Sequence, residues 1–189
     1  MIEFKNVSCT MGEKKILDGV SLRIEDGETL CVYGPSGKGK TTVLRLIAGL
    51  EKPQGGTVTV TEKGVSAVFQ EDRLLPWKNV MDNIMLFSSD REKAQRLLAE
   101  SGLSGEEGRN VSILSGGMKR RVALIRALCH PHELLLLDEP FSGMDDKTAE
   151  ICAAIIKKET RSSTVVICVH SPETARRIDP SCRLLKVGD

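Results

Sequence analysis

Apolar positions along the chain follow two rhythms. Continuous apolar runs, TLCVY at 29–33, LLLLD at 134–138 and TVVICV at 164–169, predict parallel strands covered on both faces. Looser alternation over 2–8 and 20–24 predicts half-covered strands, joined by a turn at 11–15 and closed by Asp26 and Gly27. The β-branched run at 57–60, a strand at 65–69 and a last strand at 182–187 complete that set. Helical spacing appears in Val43, Leu44, Ile47 and Leu50, in Val80, Ile84 and Met85, and in Ala94, Leu97 and Leu98. It returns in Val122, Ile125, Arg126 and Leu128, then over about 145–158 and 172–178. Lys52, Pro53, Gly55 and Gly56 break the first helix. From 71 to 111 the texture is loop and short helices with no low-complexity linker. We expect one α/β domain: a core over 1–70 and 112–189 with an antiparallel N-terminal part, and a helical insert over 71–111.

Between the strand at 29–33 and the first helix lies Gly34, Pro35, Ser36, Gly37, Lys38, Gly39, Lys40, Thr41, Thr42. Gly34, Gly39, Lys40 and Thr41 fit the phosphate-loop pattern G-x-x-x-x-G-K-[ST]. Glycines let the backbone curl so that successive amides point at phosphate oxygens, and the helix start beyond favours an anion. Lys40 is expected to add a mobile positive charge for the β- and γ-phosphates, and Thr41 a hydroxyl for Mg²⁺. A turn binding nothing is the plain alternative, and the strand–loop–helix context speaks against it. A nucleotide phosphate is expected here.

Composition removes several classes. With 27 basic against 26 acidic residues the formal charge is +1, so extended nucleic-acid binding has no basic field to rest on. No apolar run is long enough to cross a bilayer, and residues 1–5 lack the pattern of an export signal. Six scattered cysteines without a C-x-x-C pair suit reduced, buried thiols. A soluble intracellular protein is expected.

Other stretches carry chemistry. Asp138 and Glu139 follow the apolar run at 134–137. Two adjacent acids there are costly without a cation, which Mg²⁺ and its nucleotide would supply. Asp138 suits the positioning of Mg²⁺ and Glu139 the polarising of a water. Ser115, Gly116 and Gly117 open a helix and offer a hydroxyl and amides to an anion. Taken alone this is often a mere N-cap, and His170 after an apolar strand is often a core histidine.

Taken together, Gly34 to Thr42, Gln70, the LSGG at 114–117, the LDEP at 137–140, the SGMD at 142–145 and His170 resemble, in order and spacing, the ATP-binding cassette (ABC) ATPases over nearly the whole chain. The resemblance implies a phosphate-loop NTPase core with ATP and Mg²⁺. It implies that Gln70 touches Mg²⁺ and water and senses a membrane partner. Ser115, Gly116 and Gly117 would contact the γ-phosphate bound by a second copy in a head-to-tail sandwich, Asp145 would couple the two sites, and His170 would contact the γ-phosphate. A finer likeness, to the ATP-binding subunits of nitrate, sulfonate and taurine importers, rests on FQEDRLLPW at 69–77, Val80, Asp82, Asn83 and GMKRRV at 117–122. Met11 stands where the family usually places an aromatic ring on adenine, which leaves a softer contact and open base selectivity.

The expectation is therefore an ATP-hydrolysing transporter subunit, at the inner face of the membrane, docked on separate permease subunits through Leu74, Leu75 and Trp77. These three residues filling the insert's own core is the alternative. An ABC ATPase acting on DNA or the ribosome would need long inserts or tandem cassettes. A small-molecule phosphoryl-transfer kinase would not need the signature at 114–117.

Overall fold

The computed structural model describes residues 1–12 and 14–188, the side chains of Met11 and Lys14 excepted. The elements run β1 (Ile2–Met11), β2 (Lys14–Ile24), β3 (Thr29–Tyr33), α1 (Lys40–Ile47), β4 (Gly55–Val60), β5 (Val65–Val68), α2 (Val80–Ile84) and α3 (Arg91–Glu100). A 3₁₀ turn at Val111–Ile113 follows, then α4 (Gly116–Cys129), β6 (Leu134–Asp138), α5 (Asp146–Glu159), β7 (Thr164–Val169), α6 (Pro172–Arg176) and β8 (Arg183–Lys186).

The strands form two sheets. β5, β6, β7, β3 and β8 lie side by side in that order, all parallel. β2, β1 and β4 make a separate antiparallel sheet. In β1 the buried residues are Ile2 and Phe4, then Val7 and Cys9. The change from even to odd positions comes from a register shift between Phe4 and Val7, where Asn6 takes φ 50°. An extra residue at a bulge returns the later side chains to the buried face. That bulge is why the alternation over 2–8 looks loose in the sequence.

The parallel sheet is covered on both faces, as its runs of apolar residues predict. Leu135, Leu137, Val165 and Ile167 pack with α2, α3, α4 and α5. Leu134, Leu136, Val166 and Cys168 pack with α1 and the antiparallel sheet. All four leucines of β6 are fully buried, and each such side chain contributes about 1.5–3 kcal/mol relative to exposure. α1 is shorter than its apolar spacing predicts. Gly49 at φ 69° follows the C-cap Ala48, and Leu50 is left 58% exposed. The six cysteines are free and buried. No helix among the described residues is long and apolar enough to cross a membrane.

Candidate functional site

The C-terminal ends of β3, β6 and β7 lie at one edge of the parallel sheet, where open α/β folds collect their ligands. After β3 the chain curls through Gly34 to Gly39 into α1. Gly39 takes φ 97°, and a β-carbon there would stand 2.1 Å from Ile16 Cγ2, so only glycine fits. Gly39 caps α1 without a side-chain hydrogen bond, which leaves first-turn amides for an anion. Ser36, Gly37, Gly39, Lys40, Thr41, Thr42, Gln70 and Glu139 line a cavity of about 210 Å³.

Lys40 is 5% exposed. Its ammonium folds back into the loop, donating to the carbonyls of Gly34 at 2.8 Å and Pro35 at 3.2 Å. A buried cation needs acceptors, and the backbone of the loop provides them.

Thr41 Oγ1 donates to Asp138 Oδ2 at 2.7 Å. Asp138 is buried, and desolvation pushes its carboxyl above the usual range; the adjacent Glu139 adds to this, while the Thr41 bond, Arg120 and Lys40 offset part. A hydroxyl and a carboxylate side by side are hard oxygen donors, and this set fits Mg²⁺, which takes one or two protein oxygens and completes its shell with phosphates and water.

Glu139 begins the turn after β6 in the left-handed region, at φ 47°. Its amide donates to Cys168 O at 2.9 Å, and its carboxylate Oε1 lies 2.9 Å from His170 Nε2. His170, just past β7, is exposed. Glu139 borders both the phosphate-loop cavity and a second space of about 340 Å³, lined by His170, Phe141, Met144 and Ala149.

The other expected residues do not join this cavity. Ser115 caps α4, accepting from the Met118 amide at 3.3 Å, and is exposed with Gly116. A β-carbon on Gly117 would stand 2.5 Å from Gly143 O, so the two glycine turns at 115–117 and 142–144 touch. Asp145 is exposed and caps α5 through the Thr148 amide and hydroxyl, which hold its carboxyl below the usual range. The Met11 side chain, expected at the base, lies outside the described residues.

The loop at 71–79 is built firmly. Asn83 is fully buried, accepts from the Leu75 amide at 2.7 Å and donates to the carbonyls of Leu75 and Asn79. Val80 N donates to Arg109 O and Val111 N to Lys78 O, tying the loop to 109–111. On this platform Trp77 is 72% exposed, Leu75 is half-buried and Leu74 packs on the core. The three therefore do not all fill a core, and the expected trio splits. Sequence reasoning missed Phe87, 57% exposed, which borders a groove of about 390 Å³ with Val65, Arg73, Arg126 and His130.

Comparison with known proteins bears on this geometry. A profile of the family described as ABC transporter matches residues 17–142. The chain belongs to the ABC transporter family. It is similar to aliphatic sulfonates import ATP-binding protein SsuB 1 of Rhodococcus jostii, 44% identical over 85% of this chain and 69% of that protein. The SsuB 1 of Paraburkholderia xenovorans is 39% identical over 99% of this chain and 58% of its own length. Taurine import ATP-binding protein TauB of Escherichia coli O157:H7 is 38% identical over the whole of this chain and 80% of its length. Among solved structures, a dimeric post-hydrolysis state of the ATP-binding cassette MJ0796, bound to ADP and Pi, superposes with TM-score 0.85 at 29% identity over 99% of this chain and 94% of that chain. This ABC cassette is an ATPase subunit of a transporter, and it binds ATP.

Proposed function

We propose that this ABC cassette powers import of a small solute such as nitrate, a sulfonate or taurine, as one of two copies that close head to tail on two Mg-ATP. One observation carries the catalytic half. The ends of β3 and β6 bring the phosphate loop with Thr41, and Glu139, to one cavity; Asp138 bonds Thr41 and His170 pairs with Glu139 from behind them, while Ser115, Gly116, Gly117 and Asp145 stand outside it. Each chain thus carries one half of two different sites.

In this reading the amides at the start of α1, with Lys40 once released from Gly34 and Pro35, hold the β- and γ-phosphates. Thr41, Asp138 and Gln70 would hold Mg²⁺, which would supply positive charge against the phosphates. Glu139 orients the attacking water and accepts its proton, and His170 fixes the carboxylate and reaches the γ-phosphate. The second copy's Ser115 and Gly117 close the site, with Asp145 at the seam. Trp77, Leu75 and the groove beside Phe87 receive a cytoplasmic helix of a permease, which keeps the subunit at the inner face of the membrane.

Glu139→Gln tests the core of this reading. The variant is expected to bind ATP as the parent does and to turn over at least about a hundredfold more slowly, the scale of a lost general base. Near-parental phosphate release would remove Glu139 from the mechanism.

A further inference from the structure

We infer that Arg120 is a positioning residue that holds Glu139 in its working place and ties it to the loop of Gln70. Arg120 lies one turn into α4, behind the signature turn, and is 3% exposed. One guanidinium reaches two strand ends at once. Nη1 donates to Phe69 O, the residue before Gln70, and pairs with Asp72 Oδ1 at 3.1 Å. Nη2 donates to Asp138 O and, at 2.9 Å, to Glu139 O.

The arrangement has consequences for Glu139 in particular. Its left-handed backbone at φ 47° is costly for a non-glycine residue and persists only when its surroundings over-determine it. Cys168 O fixes the amide side of that residue, and Arg120 together with the Ser142 amide, at 3.1 Å, the carbonyl side. Without the guanidinium, the Asp138 carbonyl would lose a donor and that of Glu139 would keep only the Ser142 amide, which loosens the peptide carrying the carboxylate. Farther along α4, Arg126 donates to the carbonyls of Asp72 and Arg73 at 2.8 Å. Two arginines of the helix behind the signature thus hold the whole span from Phe69 to Arg73. A movement of that span toward or away from α4 pulls on the same cation that holds Glu139.

This inference rests on the reading of Glu139 as the water-activating residue, and a double-mutant cycle separates the two. ATPase rates, KM and ATP affinity are measured for the parent, Arg120→Gln, Glu139→Gln and the double variant. Arg120→Gln is expected to lower kcat at least about tenfold, the scale of a displaced catalytic group, with KM for ATP within about threefold of the parent. In the Glu139→Gln background the same substitution should cost almost nothing further. Arg120→Lys, which keeps the charge but loses the planar fork, should fall between parent and Arg120→Gln. Equal rate losses in both backgrounds, or a raised KM with unchanged kcat, would overturn the inference. So would unfolding of both Arg120→Gln and Arg120→Lys, which would make the residue purely structural. Unimpaired hydrolysis in Glu139→Gln alone would instead remove the reading beneath it.

Discussion

Two surfaces of this cassette meet at Gln70 and are built in opposite ways. At the phosphate loop, charge is drawn inward: Lys40 and Asp138 are buried, each with a partner from its own chain. At the loop of Trp77 the backbone is the fixed part. Asn83 and the strap to 109–111 fasten it, while the indole stands in solvent. The first surface holds charges ready for a ligand that must bring opposite charge. The second holds apolar area ready for a partner that must bring its own. Burying charge costs stability unless it is matched, whereas exposing one large ring costs the free fold little. The same kind of substitution should therefore act differently on the two surfaces.

The largest effect is expected at Lys40. Replacing it by alanine removes the charge-assisted bonds to phosphate, each worth about 1.5–3 kcal/mol, so ATP affinity should fall roughly ten- to hundredfold. The carbonyls of Gly34 and Pro35 also lose their buried donor, so the melting temperature of the nucleotide-free protein should fall as well. A titration giving parental affinity would break the contrast at its charged end.

Trp77→Ala should do the reverse. At 72% exposure the ring has little to lose on truncation, and the free subunit should keep its stability within about 0.5 kcal/mol and its basal ATPase. Association with the permease should weaken by about 2 kcal/mol or more if Trp77 anchors it. Leu97→Ala on α3, fully buried, is the control and should cost about 2–5 kcal/mol. A Trp77 variant that melts like the Leu97 variant would show the ring to be core after all.

The two surfaces were also unequally legible. Glycines, Lys40 and Thr41 sit within nine residues and their demands are local, so the loop at 34–42 can be read from its letters. β6 and β7 are equally plain, because a strand covered on both faces has no polar side to confuse the pattern. Arg120 was hidden for the opposite reason. Its partners lie 51, 48, 18 and 19 residues away, and nothing in the helix pattern distinguishes an arginine turned inward from one in solvent. Phe87 was hidden likewise, since exposure of an apolar residue depends on what fails to pack on it. The inward fold of Lys40 was hidden because the loop motif fixes which residue stands there and not which carbonyls its ammonium meets. In the proposed reading the roles at 115–117 and 145 depend on a second copy, which no single chain displays.

The smallest effect concerns the join between α3 and α5. Arg96 and Lys93 of α3 pair with Glu159 of α5 at 3.0 and 3.2 Å, and Lys158 of α5 reaches Glu100 of α3 at 2.9 Å. The bond to Lys158, followed by that to Arg96, holds the Glu100 carboxyl below its usual range. A carboxylate whose pKa is lowered by folding stabilises the fold above its unfolded pKa and loses that contribution as the pH falls through the folded value. Because the pairs are partly solvated, Glu100→Ala should cost only about 0.2–1 kcal/mol at neutral pH and low salt. Urea unfolding of parent and variant should converge as the pH drops through the carboxylate range, and again near 1 M salt, where screening is about 3 Å. A gap that survives both conditions would mean that Glu100 acts through packing of its stem, and α3 would then be joined to α5 by contact area and not by charge.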